Sequence, residues 1–182
     1  MTCIVGIVDN GKVYMGCDSA GVAGGHLTKR KDSKVFENNG FLIGYTSSFR
    51  MGQLLRFNFI PPEYREDKKD LYEYMCTDFI DCVRSCFKSG GYAKKSNDVE
   101  SAGVFLVGYK GRLFEIESDY QVGESLKPYA SVGCGEFYAK GCLYSIIDNK
   151  EISVIDKIKK ALSCAEEFST GVCSPFKVIQ EL

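Results

Sequence analysis

Apolar and polar positions alternate along the first forty-five residues in short blocks broken by turn signals. Thr2–Val8 is apolar and β-branched. Asp9-Asn10-Gly11 is a hairpin-turn signal, and Lys12–Cys17 reads as the returning strand. Gly21–Gly25 reads as a glycine-rich loop. Lys34–Glu37 and Phe41–Tyr45 read as two further strands joined at Asn38-Asn39-Gly40. The period then changes. Ser48 is placed as an N-cap for a helix starting near Phe49, which Pro61-Pro62 stops. After a charged stretch at Glu63–Asp70, apolar positions 71, 75, 79, 82, 83 and 86 follow helical spacing, which predicts a helix over Leu71–Lys88. Gly90-Gly91 ends it.

Tyr92–Ser101 is polar and reads as an exposed loop. Gly103–Tyr109 and Arg112–Glu117 read as a second hairpin across Lys110-Gly111, and Tyr129–Gly133 as a short strand. Glu136–Ile147 and Ser153–Phe168 are predicted helices, and Phe176–Leu182 a final strand. Strands and helices come in separate runs, with hairpin turns between strands. That order favours an α+β layered domain over an alternating βαβ array. At 182 residues, with no linker or internal repeat, residues 1–182 are expected to form a single domain.

Composition narrows the function classes. Lys and Arg number 23 against 24 Asp and Glu, so no basic stripe argues for nucleic acid. No stretch approaches the roughly 20 apolar residues of a membrane span, and nothing reads as a signal peptide. A cytoplasmic protein is expected. The nine cysteines include no Cys-x-x-Cys pair. They are expected to be reduced and to act mostly as small apolar residues, with no metal or other cofactor.

One histidine is present, His26, within Gly-Val-Ala-Gly-Gly-His, and this loop is a poor platform for a rigid base. Thr2 offers chemistry that needs no histidine. Once Met1 is removed, a terminal threonine carries a hydroxyl nucleophile and a free α-amine on one Cα. Such an amine titrates near pH ~8, so part of it is neutral base at physiological pH. Asp18 follows Thr2 by sixteen residues and Lys34 by thirty-two.

Thr2, Asp18 and Lys34 together resemble the proteasome β-subunit family, and especially its bacterial subunit HslV. The likeness runs almost end to end. It extends to Gly44 in Leu-Ile-Gly-Tyr-Thr, to Gly133-Cys134-Gly135 opening a helix, and to Glu167-Phe168-Ser169-Thr170-Gly171. It implies a four-layer αββα sandwich, the N-terminal nucleophile (Ntn) hydrolase fold, and a threonine-type endopeptidase. By that likeness Thr2 attacks the carbonyl and its amine takes the proton. Lys34 places a positive charge nearby, Asp18 orients Lys34, and the Gly44 N–H meets the oxyanion. Cys134, Glu167 and Thr170 would surround the amine. Val22 and Thr46 would hold an extended peptide through backbone groups. The likeness also implies a homo-oligomeric ring enclosing the sites, acting on peptides or unfolded proteins and possibly served by an ATP-dependent unfoldase.

Three departures stand out. Cys134 replaces a serine, Glu167 and Thr170 replace Asp and Ser, and Thr46-Ser47-Ser48 replaces a glycine- or alanine-bearing stretch. Cys3 and Cys134 are rival nucleophiles. A catalytically silent ring scaffold and an Ntn hydrolase of small amides remain open alternatives.

Overall fold

The computed structural model describes residues 1–97 and 99–182. Two antiparallel sheets stack between two helical layers. The first sheet comprises β1 (Cys3–Asp9), β2 (Lys12–Cys17), β12 (Tyr129–Gly133) and β13 (Lys177–Gln180), in the order β12-β1-β2-β13. The second comprises β5 (Val35–Asn38), β6 (Phe41–Tyr45), β9 (Phe105–Tyr109), β10 (Arg112–Ile116) and β11 (Val122–Glu124), in the order β11-β10-β9-β6-β5. Helices α4 (Glu136–Ile146) and α5 (Val154–Phe168) cover the first sheet. Helix α1 (Phe49–Phe57) and the segment α2 (Leu71–Tyr74), a π-helical turn (Met75–Phe79) and α3 (Ile80–Ser89) cover the second. The αββα order is the layering expected from the sequence.

Three cores separate the four layers, and strand alternation sorts residues among them. On β1, Cys3, Val5 and Ile7 pack toward α4 and α5 with Leu143, Ile158, Leu162 and Ala165. Ile4 faces the other way, into the space between the sheets, with Val13, Met15, Val35, Leu42 and Leu106. On β6, Phe41, Ile43 and Tyr45 join Met51, Phe79, Val83 and Phe87 under the other helical layer. A period of two decides each assignment.

Gly44 lies at a close approach of the two sheets. A Cβ there would stand 2.5 Å from the Ile4 side chain and 2.6 Å from the Met15 sulfur. Gly44→Ala is therefore expected to destabilise the fold by about 1–3 kcal/mol through overpacking, read as a lower denaturation midpoint. Wild-type stability in that variant would contradict this packing role.

The structure departs from the sequence expectations in four places. The glycine-rich stretch at 21–25 is part of a hairpin, β3 (Ala20–Ala23) and β4 (His26–Lys29), turned at Gly24 (φ 56°) and Gly25 (φ 79°). Two successive positive φ angles match the right-handed strand twist, and glycine adopts them without steric cost. The stretch at 92–101, expected as a loop, contains a short hairpin, β7 (Lys94–Ser96) and β8 (Val99–Ser101), while residue 98 of that stretch lies outside the described residues. Strand β11 had no sequence counterpart. The helix from Leu71 is interrupted by its π turn, which a spacing pattern alone does not reveal. No helix among the described residues is long and apolar enough to cross a membrane.

Candidate active site

Thr2 sits just before β1, at the open end of the space between the two sheets. Its side chain shares the face of Ile4. Two glycines of the turn after β12 allow the chain to pass beside it. Gly133 has φ 103°, and a Cβ there would run into the Thr2 carbonyl. A Cβ on Gly135 would meet those of Cys3 and Ala165 at 2.9 and 2.8 Å. The Gly-Cys-Gly stretch thus fixes how closely the N-terminus of α4 approaches Thr2.

Asp18 follows β2 and Lys34 precedes β5, so each of the two sheets delivers one charge. Lys34 Nζ donates to Asp18 Oδ1 at 2.8 Å and to Oδ2 at 2.9 Å. Both side chains are essentially excluded from solvent. Asp18 also accepts the Cys3 N–H at Oδ1 (3.0 Å) and the Ala20 N–H at Oδ2 (2.7 Å). The carboxylate is therefore saturated, as a buried charge must be. Its bond to Cys3 ties the ion pair to the Thr2–Cys3 peptide. The Thr2 N–H donates to Cys134 Sγ at 3.3 Å, and Thr2 Oγ1 donates to the Met1 carbonyl.

Two cavities border Thr2. One, of about 70 Å³, is lined by Met1, Val22, Tyr45 and residues 46–49. The other, of about 390 Å³, is lined by Met1, Thr46, Ser47, Val104, Glu117, Gly133, Cys134 and Glu136. Val22 and Thr46, both expected to bind substrate, thus lie against the space that Thr2 faces.

Gly44 does not face this space. It lies opposite Leu106 in the β6–β9 ladder and opposite Val35 in the β5–β6 ladder. Two residues further along, Thr46 N–H donates to Val104 O across the same edge. By that alternation the Gly44 N–H points into the β9 ladder, away from Thr2. The expectation that it serves an oxyanion is corrected on this geometry.

The backbone of Ser47, three residues on, borders this space instead. Its φ is 62°, in the left-handed region. Its neighbours hold it there: Ser48 N–H donates to Thr46 O, Val104 N–H donates to Ser47 Oγ, and Thr46 Oγ1 donates to Val104 O. No acceptor for the Ser47 N–H is found among the described residues, and Ser47 lines both cavities. A non-glycine residue in this conformation costs about 1 kcal/mol or more, and such residues cluster at functional sites. Nothing in the sequence marks it, because serine is unremarkable before a helix N-cap.

Glu167 and Thr170 are also displaced from their expected places. Both are exposed, and among the described residues neither side chain hydrogen-bonds to Thr2 or Cys134. Their immediate predecessors do the structural work. Ser169 Oγ donates to Cys134 Sγ at 3.4 Å and accepts the Gly171 N–H, while Glu166 Oε1 accepts the Ser174 N–H at 2.7 Å. Helical phase explains the offset. The inward stripe of α5 runs through Ile158, Leu162 and Ala165, so the next inward position is 169.

The rival nucleophiles fare differently. Cys3 Sγ points into the core under α5 beside Ser131, and burial pushes its thiol up to about 12. Burial therefore works against a thiolate there, and the side chain faces the helical layer rather than the space that Thr2 borders. Cys134 is exposed, and its sulfur accepts the Thr2 N–H, which places it as a partner of that nitrogen; His26, on the exposed β4 strand, lines neither cavity.

No family model matches the sequence, and no curated protein matches it. Solved structures do. The chain is similar to BPH from Thiobacillus denitrificans, with a TM-score of 0.82 at 17% identity over 98% of this chain and 97% of that one. That protein has also been solved in complex with epoxomicin. HslV from Trypanosoma brucei aligns with a TM-score of 0.68 at 15% identity, over 98% of each chain. Anbu from Yersinia bercovieri, an ancestral β-subunit, aligns with a TM-score of 0.64 at 16% identity, over 98% of this chain and 81% of that one. At such identities a likeness shows the fold. The chain has the α+β Ntn-hydrolase fold of HslV-like proteins.

Proposed function

From that fold, we propose that this protein is a threonine-type endopeptidase with Thr2 as its N-terminal nucleophile. One observation carries the reading: a threonine second in the chain, set between two open cavities and tied through Cys3 to a solvent-excluded Asp18–Lys34 pair. Maintaining a buried charge pair is costly for a fold that gains only stability from it, since well-packed apolar residues often do as well.

The chemistry proceeds in two balanced halves. Removal of Met1, and of anything before it, frees the Thr2 α-amine. The amine takes the Oγ1 proton as Oγ1 attacks the substrate carbonyl carbon. The tetrahedral oxyanion accepts a hydrogen bond from the Ser47 N–H, a donor type worth about 10²–10³ in rate. The ammonium then protonates the departing amine as the C–N bond breaks, leaving an ester on Thr2. Water, deprotonated by the same amine, attacks that ester and restores Thr2. Lys34 supplies a fixed positive charge that favours the neutral amine and the developing negative oxygen. Asp18 directs it. The Cys134 thiol and Ser169 hold the amine's direction.

The substrate fits as an extended peptide, with Val22 and Thr46 flanking it through backbone groups. Ring assembly from identical subunits and feeding by an ATP-dependent unfoldase are part of this proposal, carried over from the resemblance of the sequence to HslV. A second reading, a silent ring scaffold, draws on the exposure of Glu167, the carboxylate expected near the amine.

Intact mass combined with inhibitor labelling tests the choice. A peptide epoxyketone offers two electrophilic carbons, so it reacts fully with a residue carrying both hydroxyl and amine. Native material is expected to lack Met1 and to gain one inhibitor mass on Thr2. Retained Met1 in native material, or a processed chain that neither labels nor cleaves fluorogenic peptides, would leave the scaffold reading standing.

A further inference from the structure

Gly103 is buried just before β9, against the loop that leaves β6 for α1. A Cβ there would stand 2.5 Å from Ser47 Cβ, 2.8 Å from Ser47 Oγ and 2.9 Å from Met51 Sδ. No ordinary Cβ tolerates such distances. The φ of Gly103 is not in the left-handed region. The position therefore requires room rather than conformational freedom, and the Ser47 side chain occupies that room.

Ser47 keeps its left-handed backbone, φ 62°, without being a glycine. Its side chain explains how. Val104 N–H donates to Ser47 Oγ at 3.0 Å, and Thr46 Oγ1 donates to Val104 O at 2.8 Å. The two hydroxyl oxygens are 3.2 Å apart. The Thr46 proton is committed to Val104, so Ser47 supplies the one between the hydroxyls. The three residues close a circuit in which each of these donors has its acceptor. Residue 103 is anchored on both sides. Ala102 N–H donates to Ser118 O at 2.8 Å, and Phe105 pairs with Tyr45 and with Ile116. Ser47, exposed in its loop, is the side that would yield to a larger residue. Its Cβ is one bond from its own Cα, so displacing that Cβ moves the backbone.

Resting on the peptidase reading above, in which the Ser47 N–H meets the oxyanion, we infer that Gly103 is a positioning residue for that donor. It acts through Ser47. The missing side chain is a seat for the Ser47 side chain, and seat and circuit together fix the turn that carries the N–H. A donor of this kind works best when it is in place before the charge develops. A glycine at 47 could reach the same angles but also many others. A serine seated on Gly103 has one arrangement, set when the chain folds.

Hydrolysis of fluorogenic peptides, by assembled chains shown by mass to begin at Thr2, tests this with three single variants and one double. Gly103→Ala is expected to lower kcat by roughly 10–100-fold while KM moves less than about threefold, because an oxyanion donor acts in the transition state. Ser47→Ala loses the circuit and keeps a Cβ in a left-handed turn, so it should be slower by about 10-fold, whereas Ser47→Gly avoids the Cβ penalty and should be slower by only about threefold. The double variant Gly103→Ala/Ser47→Gly is the discriminating one. Of the three atoms nearest the new Cβ it leaves Met51 Sδ alone, at the end of a flexible side chain. Its kcat should return to the Ser47→Gly level. A double variant no faster than Gly103→Ala would overturn the inference. So would a Gly103→Ala chain that melts lower but turns over at the wild-type rate, or one in which KM rises and kcat does not fall. If Gly103→Ala does not fold, the double variant is expected to fold, and failure of both would reduce Gly103 to a packing position and overturn the inference. Epoxyketone labelling of the wild type separates the two failures. Labelling and cleavage without rescue in the double variant remove this inference alone, whereas absence of both from the wild type removes the peptidase reading with it.

Discussion

Thr2→Ala is expected to reduce peptide hydrolysis by about 10⁴-fold or more, as loss of a covalent nucleophile does elsewhere. Epoxyketone labelling should vanish with it. The fold should be untouched, because the Thr2 hydroxyl's one recorded bond is to the Met1 carbonyl, which processing removes. Thr2→Ser keeps a hydroxyl and an amine on one residue and should retain substantial activity. Together the two variants distinguish a chemical role from a steric one. The measurement is hydrolysis of fluorogenic peptides by chains shown by mass to begin at residue 2. Persistent hydrolysis by processed Thr2→Ala would exclude this residue as the nucleophile.

Lys34→Ala is expected to act on both fold and rate. It would leave Asp18 charged and shielded from water, with only the Cys3 and Ala20 N–H groups as partners. Breaking a buried pair on one side typically costs about 3–5 kcal/mol, visible as a lowered denaturation midpoint. Turnover should fall as well, because the remaining carboxylate opposes negative charge on the nucleophile. The double variant Asp18→Asn/Lys34→Met removes both charges while keeping similar volumes, so it should recover most of the stability. It should not recover the rate. Recovered rate in a charge-free double variant would reduce the ion pair to a structural device.

Much of this was legible from the sequence because it depends on spacing between strong turn signals. Asp9-Asn10-Gly11 closes β1 onto β2, so the alternation that hides Cys3 and exposes the face of Thr2 is fixed within the first hairpin. Asp18 and Lys34 follow from the same strands, each one residue outside its strand's end. What escaped was of another kind. A glycine near a strand end reads equally well as a hydrogen-bond donor to a ligand and as a point of close approach. Only the ladder register shows that the Gly44 N–H turns toward β9. The left-handed turn at Ser47 is imposed by bonds to Val104, fifty-seven residues away in the chain, and local sequence holds no trace of it. Ser169 was within reach, because the apolar stripe of α5 extends to it, whereas matching a five-residue pattern by position led to Thr170 instead.

The alternation of β1 also sets how accurately the chain must be matured. Trimming that stops at Thr2 leaves the new terminus facing the open end between the sheets. Trimming one residue further would leave Cys3, whose thiol points into the opposite layer and is held protonated there by burial. The two termini differ by a single residue and by half a pleat. An aminopeptidase that overran by one step would therefore yield a folded chain with no nucleophile, and no later cut could restore it. The Cys3 N–H bond to Asp18 and the Thr2 carbonyl's bond from Gly135 hold that peptide in place, so the structure itself shields the one bond whose loss would be irreversible.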